Sequence, residues 1–432
     1  MRKISKISLV AAVAVAGFST ANAQPLEEAI KNVDVSGSVV YRYNNYDNNG
    51  VTPRGAQSES NNYKIGLNLS SKVNDYVKFN SRFIVGSQDN GGFASLNSKK
   101  TSNGAANANA DGQADVSLSN AYFGFTAIPN TVVNIGKQGL TTPYTVATDI
   151  NGNEQTGTGI LALSTFGPVT AGAGYFNNTN LDASTEINAG QKLGVAGINS
   201  VTGAATGYNG IDGGLDMYVA TIQGDLDFVK LEAWYAGLQN TFGSYTLAAT
   251  SNLDLAENAK LGLEARYVQL MLNDEVVQAN GLTSDKNSMF RFAVDGKFSI
   301  VNARLAYTKT GKDGGLTALD QDAKNTSLGW NITSNGVTDA NYYQAALGAD
   351  ILDNLNFTLN YGYIKAKENA GKVTLTGLED YKANEIYGQL TYKMSKNLST
   401  YLRYGQYEEK EVSTGIKNVD QNMGRLQVAY TF

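Results

Sequence analysis

The sequence predicts an all-β fold, a transmembrane antiparallel β-barrel of about eighteen strands, and three observations lead to this prediction. Segments in which apolar and polar residues alternate recur along most of the chain, as they do in strands whose two faces meet different surroundings. Short turns and long polar loops alternate between these segments, which is typical of outer-membrane barrels. The chain begins with an export signal, and no later run approaches the roughly 18 apolar residues of a spanning helix.

The first 23 residues carry the pattern of a secretory signal peptide. Arg2, Lys3 and Lys6 make a basic start, residues 7–18 are mostly apolar, and Ala21-Asn-Ala23 matches a small-x-small cleavage site. We therefore expect export through the Sec pathway and a mature chain, residues 24–432, that forms one barrel domain in the bacterial outer membrane. Residues 24–32 have apolar side chains at helical spacing, which predicts a short helical lead-in.

The strand pattern is clearest over residues 355–363, and the final segment repeats it. In residues 424–432 the apolar side chains are Leu426, Val428, Tyr430 and Phe432, and the residues between them are polar or small. A strand with one purely apolar face suits lipid on that side. We expect this segment to pair with the first strand, around residues 33–43, and so to close the barrel.

The connections fall into two classes. Short turns with Gly, Pro, Asn or Asp lie at 73–75, 128–130, 166–168, 224–227, 353–354 and 395–397, and we expect them on the periplasmic side. Long loops, expected on the extracellular side, lie at about 44–61, 88–115, 139–157, 178–213, 273–287, 311–338, 367–382 and 409–420. The strands around 116–126, 214–224 and 243–255 are weakly patterned, so sixteen strands stay open as an alternative count.

Size and composition together predict a channel and not an enzyme. A barrel of 16–18 strands leaves an aqueous lumen, and the short stretch before the first strand leaves no room for a plug domain. The chain has no histidine and no cysteine, which removes the usual general base and the thiolate metal ligands. Its formal net charge of −5 without a basic cluster argues against nucleic acid as a partner.

Charged residues on the polar faces of the strands give the predicted lumen its chemistry. The acids expected there are Asp34, Glu232, Glu264, Asp295, Asp350 and Glu385. Basic residues are more numerous and predict a basic wall: Arg42, Lys64, Lys78, Arg82, Lys230, Lys260, Arg266, Arg291, Lys297, Arg304, Lys393, Arg403 and Arg425. The third loop carries Asp149 and Glu154 and no basic residue. If it folds into the lumen, these carboxylates face the basic wall at the pore constriction; the alternative is that they are ordinary loop acids in water.

Several segments resemble the Campylobacter-type major outer membrane porins. The resemblance rests on Ala21-Asn-Ala-Gln-Pro-Leu-Glu-Glu-Ala-Ile-Lys-Asn-Val-Asp-Val-Ser-Gly37 with Tyr41-Arg-Tyr43, on Gly136-Lys-Gln138 and Thr156-Gly-Thr-Gly159 beside the third loop, and on Arg425-Leu-Gln-Val-Ala-Tyr-Thr-Phe432. It implies an eighteen-stranded barrel, a homotrimer, and passive diffusion of ions and small hydrophilic solutes with a mild cation preference. It also implies that Tyr430 and Phe432 are the signal that the barrel assembly machinery recognises.

No cofactor is required for such a channel, although the resemblance implies a Ca²⁺ at the constriction to which Asp149 and Glu154 would contribute. Two carboxylates alone fall short of the six to eight oxygens that Ca²⁺ takes. Two other functions stay open beside general diffusion. A solute-selective channel would use an aromatic ladder, at which inward Tyr387, Tyr401 and Tyr407 hint. A structural or adhesive barrel would use its long loops.

Overall fold

A computed structural model describes residues 33–49, 58–87, 91–98, 114–181, 211–367 and 380–432. The predicted signal peptide at 1–23 and the predicted helical lead-in at 24–32 lie outside these ranges. Most of the described chain is strand. The strands are β1 (Val33–Asn48), β2 (Ser58–Asn74), β3 (Val77–Gly86), β4 (Ala94–Ser98), β5 (Asp115–Phe125), β6 (Thr131–Gly139), β7 (Thr156–Phe166), β8 (Val169–Thr179), β9 (Met217–Asp225), β10 (Lys230–Leu238), β11 (Phe242–Ala256), β12 (Ala259–Leu272), β13 (Lys286–Phe298), β14 (Val301–Thr310), β15 (Asn341–Leu352), β16 (Leu355–Lys367), β17 (Asp380–Lys393), β18 (Leu398–Glu411) and β19 (Lys417–Thr431).

The strands form one closed antiparallel sheet with eighteen strand positions around the barrel. β3 and β4 share one position, because both pair with β2: β3 pairs with residues 65–74 and β4 with residues 60–63. The predicted count of eighteen is therefore confirmed, and the alternative of sixteen is wrong. The three weakly patterned segments are β5, β9 and β11, which pair with both of their neighbours.

β1 and β19 close the barrel, as the sequence predicts. Tyr41 lies opposite Val428 and Val39 opposite Tyr430, so the apolar face of the last strand continues that of the first. At the end of this seam, Gly37 and Phe432 exchange two backbone hydrogen bonds of 2.8 and 3.1 Å. The ring of Phe432 stacks on Tyr430 at 5.9 Å and lies over Gly37, where a Cβ atom would come within 2.7 Å of it.

Short and long connections alternate around the barrel, with two departures from the prediction. The loop expected at 409–420 is short, because β18 runs to Glu411 and β19 begins at Lys417. A further connection on the loop side, residues 239–241, has only three residues. The loop at 273–285 holds a short helix, α1 (Asp274–Ala279). Among the residues that the structure describes, no helix is long and apolar enough to cross a membrane.

The two faces of the sheet differ in chemistry, as the alternating pattern predicts. Large apolar side chains of one parity are exposed on the outer face, including Phe357, Leu359 and Tyr361 at 42–46% exposure. Residues directly opposite one another in paired strands share a face. Arg42, Lys64 and Arg82 belong to the other parity and contact a loop inside the barrel, so this parity faces the lumen.

The lumen is not polar throughout, because apolar side chains fill part of it near the loops. Val268 and Leu270 of β12 have the lumen-facing parity of Arg266, yet both are fully buried. They belong to an apolar cluster that joins the inner face of β8–β13 to loop residues such as Tyr144 and Leu319. A second cluster packs Ile332 and Val337 against the inner face of β15–β17. The barrel interior is therefore partly occupied on the β8–β17 side.

Candidate functional site

Residues 140–155, between β6 and β7, form a first inward loop that crosses the barrel. Near its end, Glu154 contacts Lys64 of β2, Arg82 of β3 and Ser119 of β5. Near its start, the Tyr144 hydroxyl accepts a hydrogen bond of 2.9 Å from Thr246 of β11. These strands lie on different arcs of a closed sheet, so a loop that touches all of them must pass through the lumen. The expectation that the third loop folds inward therefore agrees with its contacts.

Glu154 is the electrostatic anchor of the first inward loop. Lys64 Nζ lies 2.5 Å from its Oε1, Arg82 Nε lies 3.0 Å from its Oε2, and Ser119 Oγ donates to Oε2 at 2.8 Å. Burial works to raise the pKa of Glu154, but the hydrogen bonds and charges of Arg82 and Lys64 outweigh it and hold that pKa below its usual range. The carboxylate thus stays ionised and neutralises part of the predicted basic wall.

Asp149 lies on the same loop but has a separate role. Its carboxylate accepts hydrogen bonds from the backbone and the side-chain amide of Asn153, at 2.7 and 2.6 Å, and these fix a tight turn. Burial raises the pKa of Asp149 in spite of them, and the nearby charge of Asp322 adds to the rise. Asp149 and Glu154 are both buried and point to different partners.

The residues expected to hold Ca²⁺ do not fit that ion as they stand. Both oxygens of Glu154 are occupied by two cations and a hydroxyl, and both oxygens of Asp149 accept bonds from Asn153. A Ca²⁺ site needs several free oxygens directed at one point. In the described part of the chain, no group of three or more acidic residues is arranged to hold a metal ion.

Residues 311–340, between β14 and β15, form a second inward loop whose position the sequence did not predict. Glu385 of β17 accepts hydrogen bonds from three successive backbone N–H groups, those of Trp330, Asn331 and Ile332, at 2.9, 2.8 and 3.4 Å. Gly329 precedes them, and a Cβ atom there would collide with the Glu385 carboxylate. The glycine and the three backbone amides together form the binding site of this carboxylate.

The two inward loops meet inside the barrel. The Leu319 N–H donates to the Tyr144 carbonyl at 2.8 Å, and the Asn325 N–H donates to the Pro143 carbonyl at 2.9 Å. Gln155 also donates to the Asp320 carboxyl group. Burial raises the pKa of Asp320 to about 10, and the hydrogen bond and charge of Asp322 contribute. The raised pKa favours one shared proton between the Asp320 and Asp322 carboxyl groups.

The predicted basic wall divides into neutralised and unpaired groups. Arg266 and Arg291 share Glu264, with N···O distances of 3.0 and 2.6 Å, and Arg304 pairs with Asp295 at 2.6 Å. Lys78 is exposed towards the turn end of β3, opposite Lys72. Much of the wall is therefore ion-paired, with acids on the same or neighbouring strands or on the first inward loop.

Arg42, Arg403 and Arg425 form a group of their own within the predicted basic wall. They lie on three adjacent strands, β1, β18 and β19, and Arg403 is directly opposite Arg425. Among the residues that the structure describes, none of the three forms an ion pair with a carboxylate. Their partners are neutral: Gln427 and the Ile150 carbonyl for Arg42, Gln389 for Arg403, and Asn44 and Tyr46 for Arg425.

Aromatic rings surround these arginines. The guanidinium carbons of Arg403 and Arg425 lie 5.0 and 5.8 Å from the centroid of the Trp330 ring, which the second inward loop carries. Arg403 also lies 5.1 Å from Tyr387 and 5.4 Å from Tyr401. Two of the three tyrosines expected to line a ladder are therefore found beside an arginine. The third, Tyr407, is packed against the second apolar cluster instead.

Sequence reasoning missed Trp330 and the role of Glu385. One signal was available, since Trp330 is one of only two tryptophans in the chain and a large ring in a loop requires a packing partner. The ring packs against Tyr387 and Arg403, and the backbone N–H of Trp330 donates to Glu385. All three partners lie more than 50 positions further along the chain, so no local pattern pointed to them.

An eighteen-stranded barrel with an apolar belt, a lumen lined by charged side chains and two loops folded inside defines an outer-membrane channel. Solved structures with this fold include the outer membrane protein OprD from Pseudomonas aeruginosa, with a TM-score of 0.66, 17% identity and coverage of 92% of this chain and 93% of that one. Pseudomonas aeruginosa OpdQ gives a TM-score of 0.68 at 16% identity, covering 93% and 99%. Pseudomonas aeruginosa OpdK, solved with vanillate, gives 0.67 at 14%, also covering 93% and 99%.

The family model for the Campylobacter major outer membrane protein matches residues 1–432, the whole chain. The chain therefore belongs to that family, and it is an outer-membrane porin channel for small solutes. No curated protein matches it at a significant level. Family and fold are those of a channel rather than an enzyme.

Replacing Glu154 with glutamine tests the anchor of the first inward loop. E154Q leaves the charges of Lys64 and Arg82 without a counter-charge, so we expect the zero-current potential in a KCl gradient to shift towards anions. The lowered pKa of Glu154 fixes the pH dependence. The carboxylate is present above the usual carboxyl pKa and is lost only as the pH falls through the lowered value. When both proteins are measured at the same strongly acidic pH, the wild type and E154Q should therefore have the same ion selectivity.

Asp75→Asn is the matched control, because it removes the same charge from an exposed turn. Equal selectivity shifts in D75N and E154Q would show that Glu154 has no special position in the pore.

Glu385→Gln tests the anchor of the second inward loop. The glutamine amide has one acceptor oxygen and directs an N–H group towards the loop amides. It therefore cannot accept the three backbone hydrogen bonds that hold residues 330–332. A hydrogen bond to a charged group contributes about 1.5–3 kcal/mol, so we expect the loop to detach at least about tenfold more often. Single-channel recording should show this as additional current fluctuations. Asp350→Asn, an exposed lumen carboxylate on β15, should leave the trace quiet, and equal noise in both variants would contradict the anchor.

Proposed function

We propose that the protein is a general diffusion porin that lets ions and small hydrophilic solutes pass the outer membrane passively. One observation carries the proposal: the two inward loops narrow the lumen of the barrel but leave a space between them. A cavity of about 210 Å³ lies there, lined by Tyr46, Ile150, Asn151, Gln321, Leu328, Trp330, Asn331 and Arg425. Solutes would cross the barrel past these mostly polar side chains.

A solute-selective channel is the second candidate. It is favoured by the aromatic rings beside Arg403, since rings and guanidinium groups together discriminate among solutes better than water-lined walls. OpdK, which has the same fold, was solved with vanillate. The third candidate, a structural or adhesive barrel, predicts no conduction.

Conductance and solute flux separate the three candidates. Purified protein in a planar bilayer should give discrete current steps that grow linearly with KCl concentration, because diffusion through a wide pore does not saturate. In liposome swelling, uncharged sugars should enter at rates that fall steadily with their size. One sugar that enters far faster than its size allows would support the selective channel. Absence of current steps would eliminate both channel candidates.

The proposal also includes export by a signal peptide, a homotrimeric state and recognition by the barrel assembly machinery. Family membership supports the signal peptide at 1–23 and a homotrimer, which light scattering in detergent would detect as three times the mass of one chain. The assembly role of Tyr430 and Phe432 is supported by their position at the end of the seam. We propose that the barrel assembly machinery recognises this terminal aromatic pair.

Deleting Phe432 tests the assembly signal. We expect much less folded protein in the outer membrane, because the deletion removes both the ring and the last two backbone hydrogen bonds of the seam. The few assembled pores should conduct normally, since the ring faces away from the lumen. Phe228→Ala removes an exposed aromatic ring at the turn between β9 and β10 and serves as the control. Normal outer-membrane yield after the deletion would exclude the signal.

A further inference from the structure

The cavity between the inward loops is rich in hydrogen-bond donors and has no acidic side chain in its lining. Arg425 forms part of its wall and is 7% exposed. Its guanidinium group has five N–H donors, of which Nε and one terminal nitrogen donate to Asn44 and Tyr46. Among the described residues it has no carboxylate partner. Burying an arginine without a counter-ion costs free energy, and an anion that binds to it reduces this cost.

Trp330 provides a second unsatisfied donor on the same cavity. It is 8% exposed, and its indole Nε1 has no hydrogen-bond partner in the described part of the chain. Most buried polar groups in proteins are hydrogen-bonded, so an unpaired one calls for an explanation. An arginine without a counter-ion and an indole N–H without an acceptor thus belong to the wall of one small space.

The surroundings strengthen the positive character of this space. Arg403 lies opposite Arg425 across the β18–β19 pair, and Arg42 lies on the next strand. On the second inward loop, burial raises the pKa of Asp320, which makes this loop less negative than its acids suggest. Ile150 and Leu328 add apolar surface to the lining. The space therefore suits a small anion with an apolar body.

We propose that this cavity binds small monocarboxylates, with Arg425 and the Trp330 indole N–H as the donors to the carboxylate. A planar guanidinium group matches a carboxylate with two parallel hydrogen bonds, which favours carboxylates over round anions such as chloride. Arg42 and Arg403 raise the local potential without contacting the solute. The inference rests on the proposed channel function, because the cavity lies on the path through the lumen.

Benzoate and benzamide are suitable probes, since they have nearly the same shape and differ in charge. In a planar bilayer at about 0.1 M KCl, where the screening length is about 10 Å, we expect benzoate to reduce the single-channel current saturably. Benzamide at the same concentrations should not. Equal effects of the two probes, or a conducting pore that benzoate never blocks, would overturn the carboxylate site and leave the porin function standing.

Substitutions then locate the site. In Arg425→Gln the benzoate concentration for half block should rise about tenfold or more, as expected for a lost hydrogen bond to a charged group. Arg304→Gln removes the same charge from a lumen arginine that Asp295 already neutralises, and it should change the half-block concentration less than about twofold. Equal shifts in R425Q and R304Q would overturn the proposal, because they would reduce the effect to net charge.

Two further variants guard against altered folding. Trp330→Phe keeps an aromatic ring but removes the N–H donor to the carboxylate, so benzoate affinity should fall by about tenfold or more, the range of a hydrogen bond to a charged group. Arg425→Lys keeps the charge without the planar fork and should lie between wild type and R425Q. An unchanged half-block concentration in W330F, in a pore with wild-type KCl conductance, would remove the indole from the site.

Discussion

The whole structure depends on the requirement that a backbone in lipid satisfies its own hydrogen bonds. An open sheet edge in a bilayer would leave a row of N–H and C=O groups unpaired, at several kcal/mol for each group. The chain meets this requirement by pairing β1 with β19, so that all eighteen positions have two neighbours. Closure fixes the alternation of lumen and lipid faces, and this alternation decides which side chains meet water.

The two inward loops give the closed barrel its interior. Each is held by a buried carboxylate in a different way. Glu154 belongs to its loop and reaches out to cations of the wall, whereas Glu385 belongs to the wall and accepts bonds from the loop backbone. The first arrangement pairs cations of the wall with a carboxylate, and the second pairs none. Among the described residues, Lys64 and Arg82 are therefore ion-paired, whereas Arg403 and Arg425, beside the second loop, are not.

Features that depend on neighbouring residues could be predicted from the sequence, whereas features that depend on contacts between distant residues could not. The side of the sheet on which Phe357 or Arg403 lies follows from the local period of two. The inward course of residues 311–340 depends on Glu385, which no local pattern connects with Trp330. Val268 and Leu270 are a second example of this limit. Their parity indicates the lumen face, but the apolar cluster that covers them there includes loop residues distant in sequence.

Because of the apolar cluster on the inner face of β8–β13, the number of strands sets the outer circumference of the barrel but not the width of its bore. The outer circumference follows from eighteen strands, but the bore follows from how much of the interior this packing occupies. Changes in the filled sector act on protein stability, and changes on β1, β18 and β19 act on permeation. Related chains could therefore exchange one set of nutrients for another by altering a narrow sector, while the rest of the wall stays under the constraints of a folded core.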